Sequence, residues 1–336
     1  MATQRNDGRA AIVTTLRNAG AVLDSFVAYH LAIGFDHVFL FFDDPDDPDL
    51  PRMAAHPAVT AIARDAGLRQ AWSALPQYAA HAAFTDTEVM SRQVLNAVLA
   101  MGMARERGLD WLLHIDADEV FYSPNESAAA HFSRLQNSPL ESVVYLNYEA
   151  VPERDEIDDF IREVDLFKRP LSLAPNGPDA RRMVAETSQL APKFFSFYSN
   201  GKSAVRLSAP GVEPLGVHGW GRMDRATAVE HSPHHFILHY ACCGFETFWT
   251  KYATLGRFAD KWWRTADIVS AIGPLHLDAR DVVASGDRDA ARAFYRRRIA
   301  MLDPAKVAPL IGAGLLARLS QPRQILGAMP AGEASR

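Results

Sequence analysis

The sequence predicts an α/β fold built on a largely parallel sheet with crossover helices. Three observations carry this. Strand-like and helix-like segments follow one another as strand, helix, strand, weak strand, helix, strand between Ala10 and Ile115, the order in which parallel strands are joined by helices. The strand segments are continuous apolar runs, as in strands buried within a sheet. Three of them end in polar clusters: Thr15-Leu16-Arg17-Asn18, Asp43-Asp44 and Asp116-Ala117-Asp118-Glu119.

Element by element, Ala10–Leu16 reads as a first strand, and Ala21–Leu31 as a helix stopped by Gly34. His37–Phe42 is a second strand and Val59–Ala63 a weaker third. Arg64–Thr85 is polar and reads as a loop holding Trp72 and Tyr78. Asp86 is placed to cap a helix from about Thr87 to Arg107, ended by Gly108. Trp111–Ile115 is a fourth strand. Asn125–Gln136 reads as helix and Ser142–Tyr148 as strand. The charged, proline-punctuated stretch Val151–Arg182 reads as loop with a short helix near Glu156–Val164. Lys193–Val217 carries turn signals at Asn200-Gly201 and Pro210-Gly211, a hairpin pattern. His235–Tyr240 is a last strand, a long amphipathic helix spans about Glu246–Trp263, and the remainder is mainly helical, fraying over Gln321–Arg336.

Composition narrows the function. A net charge of -5 supplies no basic field for nucleic acid. The two cysteines, Cys242 and Cys243, are adjacent and give no disulfide framework, which suits a reducing cytoplasm. Met1–Arg9 lacks the apolar core of a signal peptide. The longest apolar candidate for a span, Val307–Leu316, is too short for one and carries Pro309. A cytoplasmic protein is expected, with peripheral contact at the inner face of a membrane left open.

Ligands of open parallel sheets bind beyond the carboxyl ends of the strands, near the point where strand order reverses. The three polar clusters belong at that edge. Carboxylate oxygens suit Mg²⁺ or Mn²⁺, whose shells are completed by water and substrate phosphates. In an extended segment residues two apart point the same way, which would turn Asp116 and Asp118 toward one site. A metal there would neutralise charge on a leaving diphosphate.

The residues also carry a resemblance. Arg17-Asn18, Phe26-Val27-Ala28-Tyr29-His30 and Ile33-Gly34-Phe35-Asp36-His37-Val38, then Arg92-Gln93, Asn96 and Trp111–Phe121, resemble the bacterial family-2-like glycosyltransferases related to family 92. The likeness covers about Ala10–Tyr122, with looser echoes at Gly201-Lys202 to Arg206, Val217-His218 and His239-Tyr240. It implies a GT-A fold, a Rossmann-like mixed sheet flanked by helices, and here a helical C-terminal extension. It implies a nucleotide-diphosphate sugar donor and a divalent metal. Thr15 and Asp43 or Asp44 match positions that contact base and ribose, Arg92 a basic residue near the nucleotide, and Asp116 and Asp118 the metal and ribose-phosphate motif. Ala19, where the family often has Glu, and Pro45-Asp46-Asp47 depart from the pattern.

Further candidates follow from chemistry. His218, between glycines, and His239, at a strand end, are the histidines offered as a third metal ligand. Arg17 and Asn18 stand beside Thr15 at the nucleotide edge. Lys202, Arg206 and Lys251 are offered to the diphosphate, and Trp220 to a sugar ring. The resemblance implies inversion, and an inverting transfer needs a base for the acceptor hydroxyl; Glu149 comes first, Glu153 second, and Glu119 third unless it only caps its turn. The expected domains are 1–245, with a nucleotide-binding half at about 10–122 and an acceptor half at about 123–245, followed by a helical extension, 246–336. The expected activity is metal-dependent transfer of a sugar to a glycan, lipid-linked or polysaccharide acceptor. The alternatives are a nucleotidyltransferase using Mg²⁺ and a non-catalytic sugar-binding protein of the same fold. The first lacks its Gly-rich phosphate loop at Thr15–Gly20, and intact Asp116 and Asp118 weigh against the second.

Overall fold

The computed structural model describes residues 8–197, 199–255 and 268–329, with backbone alone at 254–255 and 268–274. The chain runs β1 (Ala10–Leu16), α1 (Val22–Ala32), β2 (His37–Phe42), α2 (Leu50–Ala54), β3 (Val59–Ala63), α3 (Ala66–Ser73), α4 (Tyr78–His81), α5 (Val89–Glu106), β4 (Trp111–His114) and β5 (Glu119–Tyr122). Then come α6 (Ala128–Gln136), β6 (Ser142–Tyr145), β7 (Asn147–Ala150), α7 (Phe160–Glu163), β8 (Leu166–Lys168), α8 (Pro178–Leu190) and β9 (Lys202–Arg206). Short strands β10 (Glu213–Pro214), β11 (Trp220–Gly221) and β12 (Val229–His231) precede β13 (Phe236–His239). Helices α9 (Phe245–Leu255), α10 (Ile268–Ala284), α11 (Arg288–Arg298) and α12 (Pro304–Gly312), then β14 (Leu316–Arg318) and α13 (Gln321–Ala328), finish the described chain.

Two compact units result. Of the described residues, those at 8–146, 200–237 and 328–329 form the first, and those between 147 and 199 and between 238 and 327 the second. The first is built on a seven-stranded sheet of order β12-β6-β9-β4-β1-β2-β3. Strands β4, β1, β2 and β3 are parallel, while β9 runs antiparallel to both β4 and β6. This is the expected mixed α/β sheet flanked by helices. Every residue of β1 and β2 is buried, which explains the unbroken apolar runs. On one face Ala11, Val13, Phe39, Phe41 and Leu112 pack with Trp72 of α3 and with Leu95, Ala100 and Met101 of α5. On the other, Trp111 meets Phe132 of α6, ring centroids 5.9 Å apart. Each fully buried large side chain contributes about 1.5–3 kcal/mol.

Register sets the edge where chemistry can occur. Leu16 lies opposite Phe42, and the Asp43 N–H bonds to the Leu16 carbonyl at 2.8 Å. Val13 lies opposite His114, with the Ile115 N–H on the Val13 carbonyl at 3.2 Å. Thr15, Asp43 and Asp116 therefore leave the sheet side by side. The strand order reverses between β1 and β4, so this is the switch point.

In the second unit β14, β8, β7 and β13 are successive neighbours in a sheet. One core cluster joins Val151, Leu166 and Phe194 to Leu310, Leu315 and Leu316. Another joins Phe245, Phe248 and Tyr252 to Phe294 and Tyr295. The C-terminal residues thus share a core with 147–199, a different partition from the expected division at residue 245. Among the described residues no helix is long and apolar enough to cross a membrane.

Several local expectations are corrected. Arg64–Thr85 contains α3 and α4, because Trp72 is pulled into the core and Asp65 caps α3 through the Leu68 N–H at 2.9 Å. Asp86 caps nothing and instead pairs with exposed Arg69. The strand expected at Ser142–Tyr148 splits at Leu146 between the two units. Val151–Arg182 also holds β8 and the start of α8, which opens on Gly177-Pro178. The hairpin is β10–β11, whereas β9 is a sheet strand. Gln321–Ala328 is helical; Trp262 and Trp263 lie outside the described residues.

Candidate active site

The polar side of α5 faces the sheet edge, not water: Arg92, Gln93 and Asn96 are all buried. Each reaches a different strand end. Arg92 grips Asp43 after β2 with two bonds, Nε to Oδ1 at 2.5 Å and Nη2 to Oδ2 at 2.7 Å, the bidentate geometry that favours arginine over lysine. Gln93 donates through Nε2 to Asp116 Oδ1 after β4. Asn96 donates through Nδ2 to Thr15 Oγ1 on β1 at 2.9 Å, and its Oδ1 accepts from Trp72 Nε1. One helix therefore holds three strand ends in register.

Asp116 to Glu119 form a turn, closed by the Glu119 N–H on the Asp116 carbonyl at 3.0 Å. The expected extended segment is absent here, so alternation of side chains does not orient Asp116 and Asp118; the turn does. Glu119 is buried, and its Oε2 accepts from the Asp116 N–H at 2.8 Å, the turn-capping role weighed above. Asp116 and Asp118 are half-buried.

Lys202 was expected at a diphosphate, but it points into the motif. Its side chain is 1% exposed, and Nζ donates to Asp116 Oδ2 at 2.7 Å and to the Val217 carbonyl at 3.3 Å, with Glu119 Oε2 at 3.4 Å. Two of the ammonium's donors are thus used by Asp116 and Val217, and the Glu119 carboxylate adds a second negative charge beside it. Gly201 makes the placement possible: at φ +73, a Cβ there would lie 2.0 Å from the Tyr145 carbonyl oxygen. Burial by itself would raise the Asp116 carboxyl; Lys202 above all holds it well below the usual range. His218 places Nδ1 3.0 Å from the Gly201 carbonyl, and burial followed by Lys202 lowers it to about 3, so it is neutral. His114, buried beneath Asp116 and Lys202, is likewise lowered to about 3 by burial first.

Around this centre Arg17 pairs with Asp44 at 3.5 Å with its side chain half exposed. Asn18 adopts φ 51, in the left-handed region. Its N–H bonds to Asp47 Oδ2 at 2.8 Å. Asp47 also accepts from the Asp49 N–H, so it braces the loop after β1. Composition gave no means of picking it from five neighbouring aspartates. Trp220 is buried in the core with Nε1 on the Ser203 carbonyl, and Arg206 binds the carbonyls of Leu135, Ser138 and Leu140. Both are structural where a ligand contact was expected.

The second unit holds the remaining candidates. His239 Nδ1 and Glu149 Oε2 are 2.6 Å apart, and Glu149 pairs across the sheet with Lys168. Burial opposes ionisation of Glu149, yet His239, then Lys168, holds its carboxyl below the usual range. Glu153 forms a two-bonded pair with Arg318 at 2.6 and 2.8 Å. Lys251 donates to the Ala241 carbonyl at 2.9 Å.

No family model matches the sequence. Two Arabidopsis thaliana proteins named as glycosyltransferase-like are 27% and 25% identical to it over 333 residues, 94% of this chain. In sequence, the chain is similar to glycosyltransferases. It spans 71% of one relative and 62% of the other. Among solved structures, mannosyl-3-phosphoglycerate synthase from Rubrobacter xylanophilus is 14% identical, with a TM-score of 0.35 over 74% of this chain and 71% of that one. Core-mannan synthase A from Aspergillus fumigatus, in an Mn/GDP form, is 10% identical, with a TM-score of 0.27 over 57% and 50% of the chains. Those two likenesses reach no further than coarse shape.

Proposed function

We propose that the protein transfers a sugar from a nucleotide-diphosphate donor to a glycan, lipid-linked or polysaccharide acceptor, with inversion, as a relative of the bacterial family-2-like and family 92 enzymes. The observation that carries this reading is the convergence of Thr15, Asp43 and Asp116 on the polar side of α5 at the switch point of the sheet. The glycosyltransferase-like relatives, matched over nearly the whole chain, supply the reaction class.

The turn suits a divalent metal by its donor chemistry. Asp116 and Asp118 offer carboxylate oxygens, each with more lone pairs than one hydrogen bond uses. The Gly201 carbonyl can only accept, so His218 carries its proton on Nδ1 and its lone pair on Nε2, the ligand form. These three residues would hold the ion, and the imidazole inclines the set to Mn²⁺ over Mg²⁺. When bound, it would offset the charge of the diphosphate and of the leaving nucleotide.

The chain's own groups do the rest. Lys202 keeps Asp116 ionised, and Gln93 fixes its plane. Asn96 and Arg92 hold Thr15 and Asp43 rigid, so that little ordering remains when a nucleotide binds. Within the second unit, the Glu149–His239 pair has acid–base chemistry of its own: an ionised carboxylate facing Nδ1–H orients the imidazole.

The test is a screen of nucleotide sugars for Mn²⁺-dependent thermal stabilisation and slow hydrolysis, comparing wild type with Asp118→Ala. Stabilisation by one nucleotide class, lost in the variant, supports transfer. Absence of any metal-dependent binding, with no effect of the substitution, would end the transferase reading.

A further inference from the structure

Within the first unit, away from the Asp116 turn, Glu126, His131 and His235 bring three ligand atoms within 4.8 Å of one another. His235 Nε2 is 3.0 Å from Glu126 Oε1 and His131 Nδ1 is 3.7 Å from it. The two imidazoles stand 3.9 Å apart, centroid to centroid, and both are buried. Their outer nitrogens meet hydroxyls: His131 Nε2 with Tyr145 Oη at 2.8 Å, His235 Nδ1 with Ser232 Oγ at 3.0 Å. A hydroxyl can give or take a proton, so each ring can carry its N–H outward and turn its lone pair toward Glu126. This is the outer-shell support that metal-binding histidines use.

Arg134 shows that His131 does so. Its Nη2 donates to Glu126 Oε1 at 2.6 Å and lies 3.2 Å from His131 Nδ1. A guanidinium has no acceptor, so His131 Nδ1 must present a lone pair. A positive charge already stands between carboxylate and imidazole.

We infer that Glu126, His131 and His235 form a zinc-class divalent-cation site, with the Arg134 guanidinium as the ion's stand-in. Two imidazoles and one carboxylate are a donor set suited to Zn²⁺. The Arg134 side chain is 59% exposed and has solvent to move into. The ion would join the segment leading into α6 to the one entering β13, which gives the site a structural use independent of any sugar transfer.

The test uses tag-free, metal-stripped full-length protein titrated calorimetrically with Zn²⁺, and with Co²⁺ for its coordination spectrum. We expect one ion at this site, besides any held at the Asp116 turn, binding at least tenfold weaker in His131→Gln and His235→Gln. Arg134→Ala should bind more tightly at this site, because the competing charge is gone, and the same ranking should persist in an Asp118→Ala background, where the turn's own contribution is removed. Arg134→Ala removes no ligand, so it keeps the test decisive if a histidine variant fails to fold. Zn²⁺ binding that is no stronger in wild type than in the histidine variants, or that weakens in Arg134→Ala, would overturn the site.

Discussion

Lys202 and Asp116 are coupled tightly enough for the pair to be read in a stability measurement. Lys202→Met leaves the Asp116 and Glu119 carboxylates facing an apolar tip. Breaking such a pair costs about 3 kcal/mol, the lower end for buried pairs because the Asp116 side chain is 31% exposed. A urea unfolding curve should show that loss at pH 7, and an unchanged midpoint would refute it. Because the folded carboxyl sits below its unfolded value, the pair's contribution is complete above about pH 4 and is lost as pH falls below that. The wild type should therefore lose more stability than Lys202→Met between about pH 4 and pH 2; parallel curves would contradict the linkage. Asp116 and Asp118 were legible from their place after a fully apolar strand. The roles of Lys202 and Asp47 were not, because a buried partner lies far away in the chain.

At the scale of elements, α3 and α5 show what periodicity can and cannot tell. The strands β1, β2 and β4 were plain because both faces are buried, which makes the whole run apolar. Helix α3 was missed because it is two turns long and is stabilised by Trp72 in the core, not by its own pattern. Its cap gives a sharp contrast. Asp65→Ala should destabilise by about 1 kcal/mol through loss of the Leu68 N–H bond. Asp86→Ala should leave the thermal unfolding midpoint where it is, since its pair with Arg69 is solvated. Equal effects would mean the cap is misassigned. Helix α5 was legible as a helix, with Arg92 placed near the nucleotide by the resemblance; only the sheet edge it meets shows that Arg92, Gln93 and Asn96 are bonded inward.

At the scale of the molecule, neither unit is a continuous piece of chain. The chain passes between them after residues 146, 199, 237 and 327. A fragment of residues 1–245 would retain Val151, Leu166 and Phe194 without Leu310, Leu315 and Leu316, and Phe245 without Phe294 and Tyr295. That fragment should bind an apolar dye strongly and unfold without a single cooperative transition. A monomeric fragment with a sharp calorimetric transition would restore the division at 245. The mixed partition escaped the sequence reading because shared cores follow contacts, while composition changes follow the order of residues.

What the sequence determined by itself is the parallel α/β half, the edge where its strands end, and the acidic cluster placed there, since apolar runs and strand order are local properties. The tertiary structure alone decided that the Asp116 turn is braced by Gln93 and Lys202, that His218 shares its unit while His239 pairs with Glu149, and that Glu126, His131 and His235 converge. Those are contacts between distant segments, and a hydrogen bond leaves its mark on geometry, not on the spacing of residues along a chain.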